Sequence, residues 1–485
     1  MSFVIYDLVF LVVFALLVSM FLYRGRKNLQ KEGILLLYKT KWGIKFIEYI
    51  GKKYEKTLNV LAYVSIFVGY VLMISVIYLF GKIIYLYAVY PQVVRAIKIP
   101  PIMPLIPYLP SLFKLDFLPP FYFTYWILIL AIIAIPHEFA HGIFAKFSKV
   151  RIKSTGFGFF PFFFPVFLAA FVEQDEKQMK QQQKFNQIAI LSAGTFANIL
   201  TAILFFIILL IYFSLAFAPA GVQFDTYSYS FVAISNISMV NGISIENTNY
   251  EKLIELSVEG EFNKIKADER NFLIEKEFLE SQEEQQTELF EKGYLILYDD
   301  APAINSDLQG AISEINNIEI KNIEKFQEEL SKYSPNEKII IKTKIEEDNS
   351  VEEEIYEIVL GENPEKENVA WLGIGFLDQS RTGILGNVYS KLSSFKEPHV
   401  YYEPKINGLS IFIYDLLWWI ILICVSVALV NMLPFGIFDG GMTFYLTILH
   451  FVKNEKTAKK IYSGVTYLFL LLILVLIFSW VLAFI

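Results

Sequence analysis

The chain reads as a polytopic α-helical membrane protein with about six transmembrane helices, a short membrane-embedded β-hairpin segment and a large external α+β region. Three observations lead to that class. The composition is 55% hydrophobic with 45 phenylalanines and a mean hydropathy of +0.46, too apolar for an ordinary soluble protein of 485 residues. Six apolar runs, near 3–23, 58–88, 121–147, 186–217, 411–433 and 461–485, each reach the ~20 residues that a helix needs to cross a bilayer. Between the fourth and fifth lies an acidic stretch, 218–410, long enough for a core of its own.

Residues 1–57 are an N-terminal anchor helix and a basic cytoplasmic loop. The first apolar run has no basic leader and no small-residue cleavage site, so a retained anchor is expected rather than a signal peptide. Lys and Arg dominate 24–57, the connection after the third run (Lys146, Lys149, Arg151, Lys153) and the last connection (Lys453, Lys456, Lys459, Lys460). With six spans all three loops share one side, which the positive-inside rule makes cytoplasmic. Both termini and the 218–410 region are then extracytoplasmic in a multi-pass protein of the cell membrane. The net charge of −7 argues against a nucleic-acid partner, and the single cysteine, Cys424, has no partner for an intramolecular disulfide.

Residues 58–120 hold the second run and a proline-rich external loop. The run is longer than a span needs; it tilts or continues past the membrane, whereas a split into two spans would reverse the parity before it. Eight prolines between 89 and 120 exclude a continuous helix and leave a stiff cover over a site or a simple connector.

Residues 121–217 carry the chemistry. The third run contains His137-Glu138-Phe139-Ala140-His141, and on a helix the two histidines project from one face, one turn apart. Two imidazoles so placed bind one Zn²⁺, with Glu138 beside the open position as general base; this is the HExxH arrangement of zinc hydrolases. The competing reading is a fortuitous pair on a buried helix, but the chain has only four histidines and ionisable groups at membrane depth are functional by default. Pro136 is expected to kink the helix. The Phe-rich stretch 156–176, with two prolines and two glycines, fits a hairpin or re-entrant segment whose free strand edge can pair with an extended peptide; greasy loop packing is the alternative. In the fourth run Ser192 to Asn198 combines small residues for close helix approach with an amide, Asn198, that needs a partner in lipid.

Residues 218–410 alternate strand patterns (293–299, 337–345) with a helical one (323–333). The segment 311–330 echoes 233–253, a hint of duplication, and 260–290 is expected to be a helical insertion or flexible arm. Residues 411–452 contain the fifth run and then NMLPFGIFDGG, where Pro434 and the glycines break the helix. Asp439 in that break is the best-placed third metal ligand, against the alternative of an ordinary loop aspartate. Residues 453–485 form the last span. His399 and His450 read as surface residues.

HEFAH, then Gly194-Thr195-Phe196-Ala197-Asn198, then Asn431-Met432-Leu433-Pro434 with Phe438-Asp439-Gly440-Gly441 together resemble the site-2 protease family of intramembrane zinc metalloproteases. The resemblance covers most of 121–450, with Thr195 where many members have proline. It implies one Zn²⁺ per chain held by His137, His141 and Asp439, with Glu138 as general base. It also implies a substrate-holding role for Asn431, beside which Asn198 is a further candidate substrate contact, and a PDZ domain near 292–378. The external region is about twice the size of one PDZ domain, so the usual boundaries need not apply. Transmembrane proteins are the implied substrates, cut in regulated intramembrane proteolysis, and the PDZ-like region implies a peptide or protein ligand. Two rivals use the same residues: a transporter with an intramembrane metal or proton path, and a non-catalytic receptor that retains a metal site.

Overall fold

The computed structural model describes residues 3–32, 35–92, 94, 100–101, 103–115, 118–160, 166–246, 248–284, 288–347, 350–377, 383–436 and 438–482. Parts of the proline-rich loop, residues 161–165 of the Phe-rich stretch, 285–287, 378 and Ile437 lie outside these. The chain divides into two compact units, Met1–Phe213 with Ile411–Ile485, and Ser214–Ser410.

In the first unit, six helices among the described residues are long and apolar enough to cross a membrane: α1 (Phe3–Arg24), α3 (Glu55–Val89), α4 (Phe123–Phe147), α5 (Lys184–Ala216), α6 (Leu409–Asn431) and α8 (Glu455–Leu482). The second apolar run is one unbroken helix of 35 residues, about 52 Å long at 1.5 Å per residue, more than the ~30 Å hydrocarbon layer requires. Two shorter helices complete the unit, α2 (Ile44–Lys53) and α7 (Asp439–Val452). Apolar side chains such as Leu16, Leu17 and Leu474 are more than half exposed, as expected where lipid is the solvent.

The basic connection 24–57 is not a bare loop. Its strands β1 (Leu29–Glu32) and β2 (Leu35–Thr40) join β3 (Ile152–Phe160) and β4 (Val166–Gln174) in a four-stranded antiparallel sheet of order β1-β2-β3-β4. The Phe-rich stretch thus supplies two paired strands, and β4 closes one edge of the sheet. The amphipathic α2 sets the fully buried Ile47 among Phe144, Ala145 and Ile190. Lys146 at the end of α4 donates to Glu48 at 2.6 Å, which holds that carboxyl below its ordinary range.

The α4 helix runs on through Pro136. Its first turn is capped from another helix: Asp7 of α1, 1% exposed, accepts from Phe123 N, Thr124 N and Thr124 Oγ1 at 2.7–2.8 Å, and from Tyr108 OH at 2.6 Å. A carboxylate satisfies the orphan donors of a helix start and complements its dipole. Between α6 and α7 the chain turns back sharply. A Cβ at Gly440 would lie 2.3 Å from the Met432 carbonyl carbon, so only glycine permits this approach.

The second unit holds two larger antiparallel sheets. One has the order β7-β12-β11-β10-β8-β9, with β7 Tyr229–Ala233, β8 Ile237–Val240, β9 Ile243–Ser244, β10 Asn263–Ala267, β11 Arg270–Ile274 and β12 Tyr294–Asp299. The other runs β16-β15-β13-β5 and then Val400–Pro404, with β14 on β13; here β5 is Phe217–Gln223, β13 Ala311–Ile315, β14 Ile318–Glu319, β15 Lys338–Glu347 and β16 Ser350–Val359. The interval 260–290 therefore differs from the expected helical insertion or arm: it opens with the β10–β11 pair, whose alternation (Asn263, Ile265 and Ala267 buried) lies hidden among charges, and only then turns helical.

The echo between 233–253 and 311–330 has a structural counterpart. Asn241 and Asn316 occupy the same place, each with φ near +50° in a tight turn. Asn241 N–H donates to Lys264 O while its Oδ1 accepts from Lys264 N; Asn316 makes the same two bonds with Ile340. The residue just before each helix also corresponds: Asn249 and Asn322 cap helices Tyr250–Leu256 and Ile323–Leu330. Strand, tight turn, capped helix and paired strands recur in order, which is one supersecondary unit used twice.

Candidate metal centre

His137 and His141 face one another one turn apart on α4, with their Nε2 atoms 3.1 Å apart. The start of α7 brings Asp439 to them: its Oδ2 lies 3.3 Å from His141 Nε2 and 3.6 Å from His137 Nε2. Ligands about 2.1 Å from a tetrahedral zinc are separated by about 3.4 Å, so these three donors have the mutual spacing of ligands to one ion. Two imidazoles and a carboxylate are also the donor chemistry of a catalytic zinc with an open position. The residues fit the metal that the motif implies.

The groups behind the ligands agree. His141 Nδ1 lies 2.7 Å from Ile190 O, a contact that places a proton on Nδ1 and leaves Nε2 to the metal. His137 Nδ1 lies 3.1 Å from Nδ2 of Asn198, which is fully buried, and Asn198 Oδ1 has no hydrogen-bond partner among the described residues. The amide orientation that directs Oδ1 at Nδ1–H satisfies the ring and the orphan oxygen together. Both partners come from α5.

Gly194 on α5 makes this possible. A Cβ there would stand 2.3 Å from His141 Nε2 and 2.6 Å from His137 Nε2, so the backbone of α5 lies directly over the ligand pair and leaves room only for glycine. Helix packing alone explains the small residues at 192–197 in the sequence; the imidazoles explain this one.

Glu138, beside the ligands, accepts from Val172 N of β4 at 3.0 Å, so the sheet edge fixes its carboxylate. The donor atoms of His137, Glu138 and His141 all lie within 4.8 Å of one another. A cavity of about 690 Å³ opens on them, lined also by Ala170, Val172 and Gln174 of β4 and by Asn431 at the end of α6. Asn431 thus reaches the cavity, whereas Asn198 meets a histidine ring behind it. Of the other histidines, His450 is exposed; His399 departs from the surface reading, its side chain 9% exposed and 3.0 Å from Asp225. Three contributors carry no sequence signal of their own: Ile190 and Val172 act through backbone atoms, and Asp7 acts by where a distant helix places it.

A His-Glu-His cluster on one helix, completed by a carboxylate from another inside a bundle of membrane-length helices, defines a membrane metallohydrolase. The family model for peptidase family M50 matches residues 125–476, well over half of the chain, and the chain belongs to that family, the site-2 protease family of zinc metalloproteases. No individual curated protein matches it.

Proposed function

We propose that this metalloprotease hydrolyses a peptide bond within, or at the membrane edge of, a transmembrane segment of another protein. One observation carries the reading: the two histidines and Glu138 sit on α4, a candidate span, and Asp439 meets them from α7, which supports delivery of the scissile carbonyl to a site among membrane-length helices. His137, His141 and Asp439 would hold a single Zn²⁺. Bound there, zinc supplies Lewis-acid polarisation of the attacking water and the substrate carbonyl. Glu138 takes the proton from that water and passes it to the leaving amine, its carboxylate held in place by Val172 N–H. Asn198 and Ile190 O hold the two rings in the tautomer that presents Nε2. Asn198 is then a positioning residue, and Asn431, at the cavity wall, is the amide that meets substrate.

A membrane helix hides its carbonyls in its own hydrogen bonds, so the substrate unwinds before it is cut. The outer edge of β4 supports this step: Ala170, Val172 and Gln174 alternate along the edge and line the cavity, where an extended peptide gains partners for its freed backbone. The reading extends to regulated intramembrane proteolysis at the cell membrane, with both termini outside on the charge evidence. It also includes a peptide or protein ligand for the PDZ-like part of the external unit. The test is Glu138→Gln in a liposome assay with a single-span substrate. Cleavage should fall by about 10²–10⁴-fold while bound zinc stays near one per chain; cleavage at the unmodified rate removes Glu138 from the chemistry and the reading with it.

A further inference from the structure

We propose that the face of α6 from Trp419 to Asn431, with the segment preceding α4, forms a groove that grips the apolar stretch of the substrate next to its scissile bond. The proposal rests on the protease reading, because it concerns the same site. A second cavity, about 340 Å³, lies between these walls. Its α6 wall includes Trp419, Ile423, Val427 and Asn431, four positions at intervals of four that make one continuous stripe of the helix. Leu105, Ile423, Val427 and Asn431 line both this cavity and the one over the metal ligands, so the two join at Asn431.

The stripe from 419 to 431 rises about 18 Å, the length of some five extended residues at about 3.3 Å each. Its floor is firm. Trp419 is 4% exposed, donates from Nε1 to Pro120 O at 3.2 Å, and packs on Phe121 with ring centroids 4.6 Å apart. The rim is open, with Val430 41% exposed and Ser426 exposed. An acyl chain needs no polar partner, whereas an unwinding peptide does; Ser426 along the rim and the Asn431 amide at the junction therefore favour a polypeptide occupant with apolar side chains.

The experiment uses the full chain in liposomes with a single-span substrate. A photo-crosslinking residue replaces Ser426 in the Glu138→Gln protein, and the crosslinked positions are mapped. Crosslinks confined to about five residues on one side of the scissile bond support the groove; crosslinks to lipid alone, or scattered along the substrate, overturn it. In a second arm, Val430→Trp narrows the groove in the active protein. We expect at least a tenfold loss in kcat/KM, carried mainly by KM, for a substrate with large apolar residues in that stretch, and little loss for one with glycine and alanine there. An equal effect on both substrates, or none, overturns the proposal. Ile203→Trp, on an exposed face of α5, should leave both substrates as they were. Crosslinking needs no turnover, so capture of one short stretch of the substrate by the Glu138→Gln protein, with no cleavage by the protein that retains Glu138, supports the groove while overturning the protease reading. Cleavage without capture does the reverse.

Discussion

A single methyl group added at residue 194 would stand 2.3 Å from His141 Nε2 and 2.6 Å from His137 Nε2, the two nitrogens that would bind the metal. Gly194→Ala should therefore lower zinc affinity by more than the ~10–100-fold typical of losing a group behind a ligand. Metal analysis of the purified protein checks this, and Gly464→Ala, which meets nothing within 4 Å, should retain full metal. Asn198→Ala should fall within the ~10–100-fold range, because His137 keeps Nε2 but loses the partner that orients it. If Asn198 held substrate instead, its variant would keep zinc and raise KM. The helical spacing of His137 and His141 was legible from the sequence, since i and i+4 share a face in any α-helix. The partner atoms were not, because a backbone carbonyl such as Ile190 O leaves no mark on residue identity.

Among the elements, α1 is more than an anchor. Asp7 ends the α4 backbone in place of a residue of α4 itself, and α4 begins at Phe123 without any side-chain cap of its own. Asp7→Ala should cost about 2 kcal/mol or more in unfolding free energy, as for a helix cap bonded to a charged group, with Asp7→Asn costing less; denaturation in detergent micelles measures both. The sequence presented Asp7 as one acid in an apolar run, with nothing to say which helix it served. β1 and β2 were missed for a related reason. A six-residue strand has a short, ambiguous pattern, and its partner is far off: Thr40 and Thr155, paired across β2 and β3, are 115 positions apart. By contrast, the break between α6 and α7 was legible, because Pro434 and the neighbouring glycines oppose helix locally.

On the scale of the whole chain, the two units set separate expectations. The candidate zinc ligands lie on the first unit, so removal of zinc by a chelator should lower the thermal midpoint of that unit and leave that of Ser214–Ser410 unchanged. Saturating zinc at about 1,000 times its dissociation constant contributes about 4 kcal/mol, and calorimetry of the full chain with and without chelator tests the assignment. Within the second unit the repeated turns predict matched effects. Asn241→Ala and Asn316→Ala each place alanine at positive φ and remove a bond to the neighbouring strand, and each should destabilise the unit by about 2–3 kcal/mol. Unequal losses would show that the two copies no longer share a structural role. The echo in the sequence pointed to this repeat, but Ile, Asn and Glu are common throughout the region, and only the matched hydrogen bonds distinguish duplication from composition.

By itself the sequence determined the membrane class, the number of long apolar helices and the kind of metal chemistry. Each of these depends on local rules: the length of an apolar run, the pitch of a helix, and the ligand preferences of imidazole and carboxylate. The tertiary structure alone decided that Asp439 meets the two histidines, that α5 lies over them at Gly194, that β4 holds Glu138 and that Asp7 caps α4. Those are meetings between parts of the chain that packing brings together, and no local propensity specifies a distance between two helices.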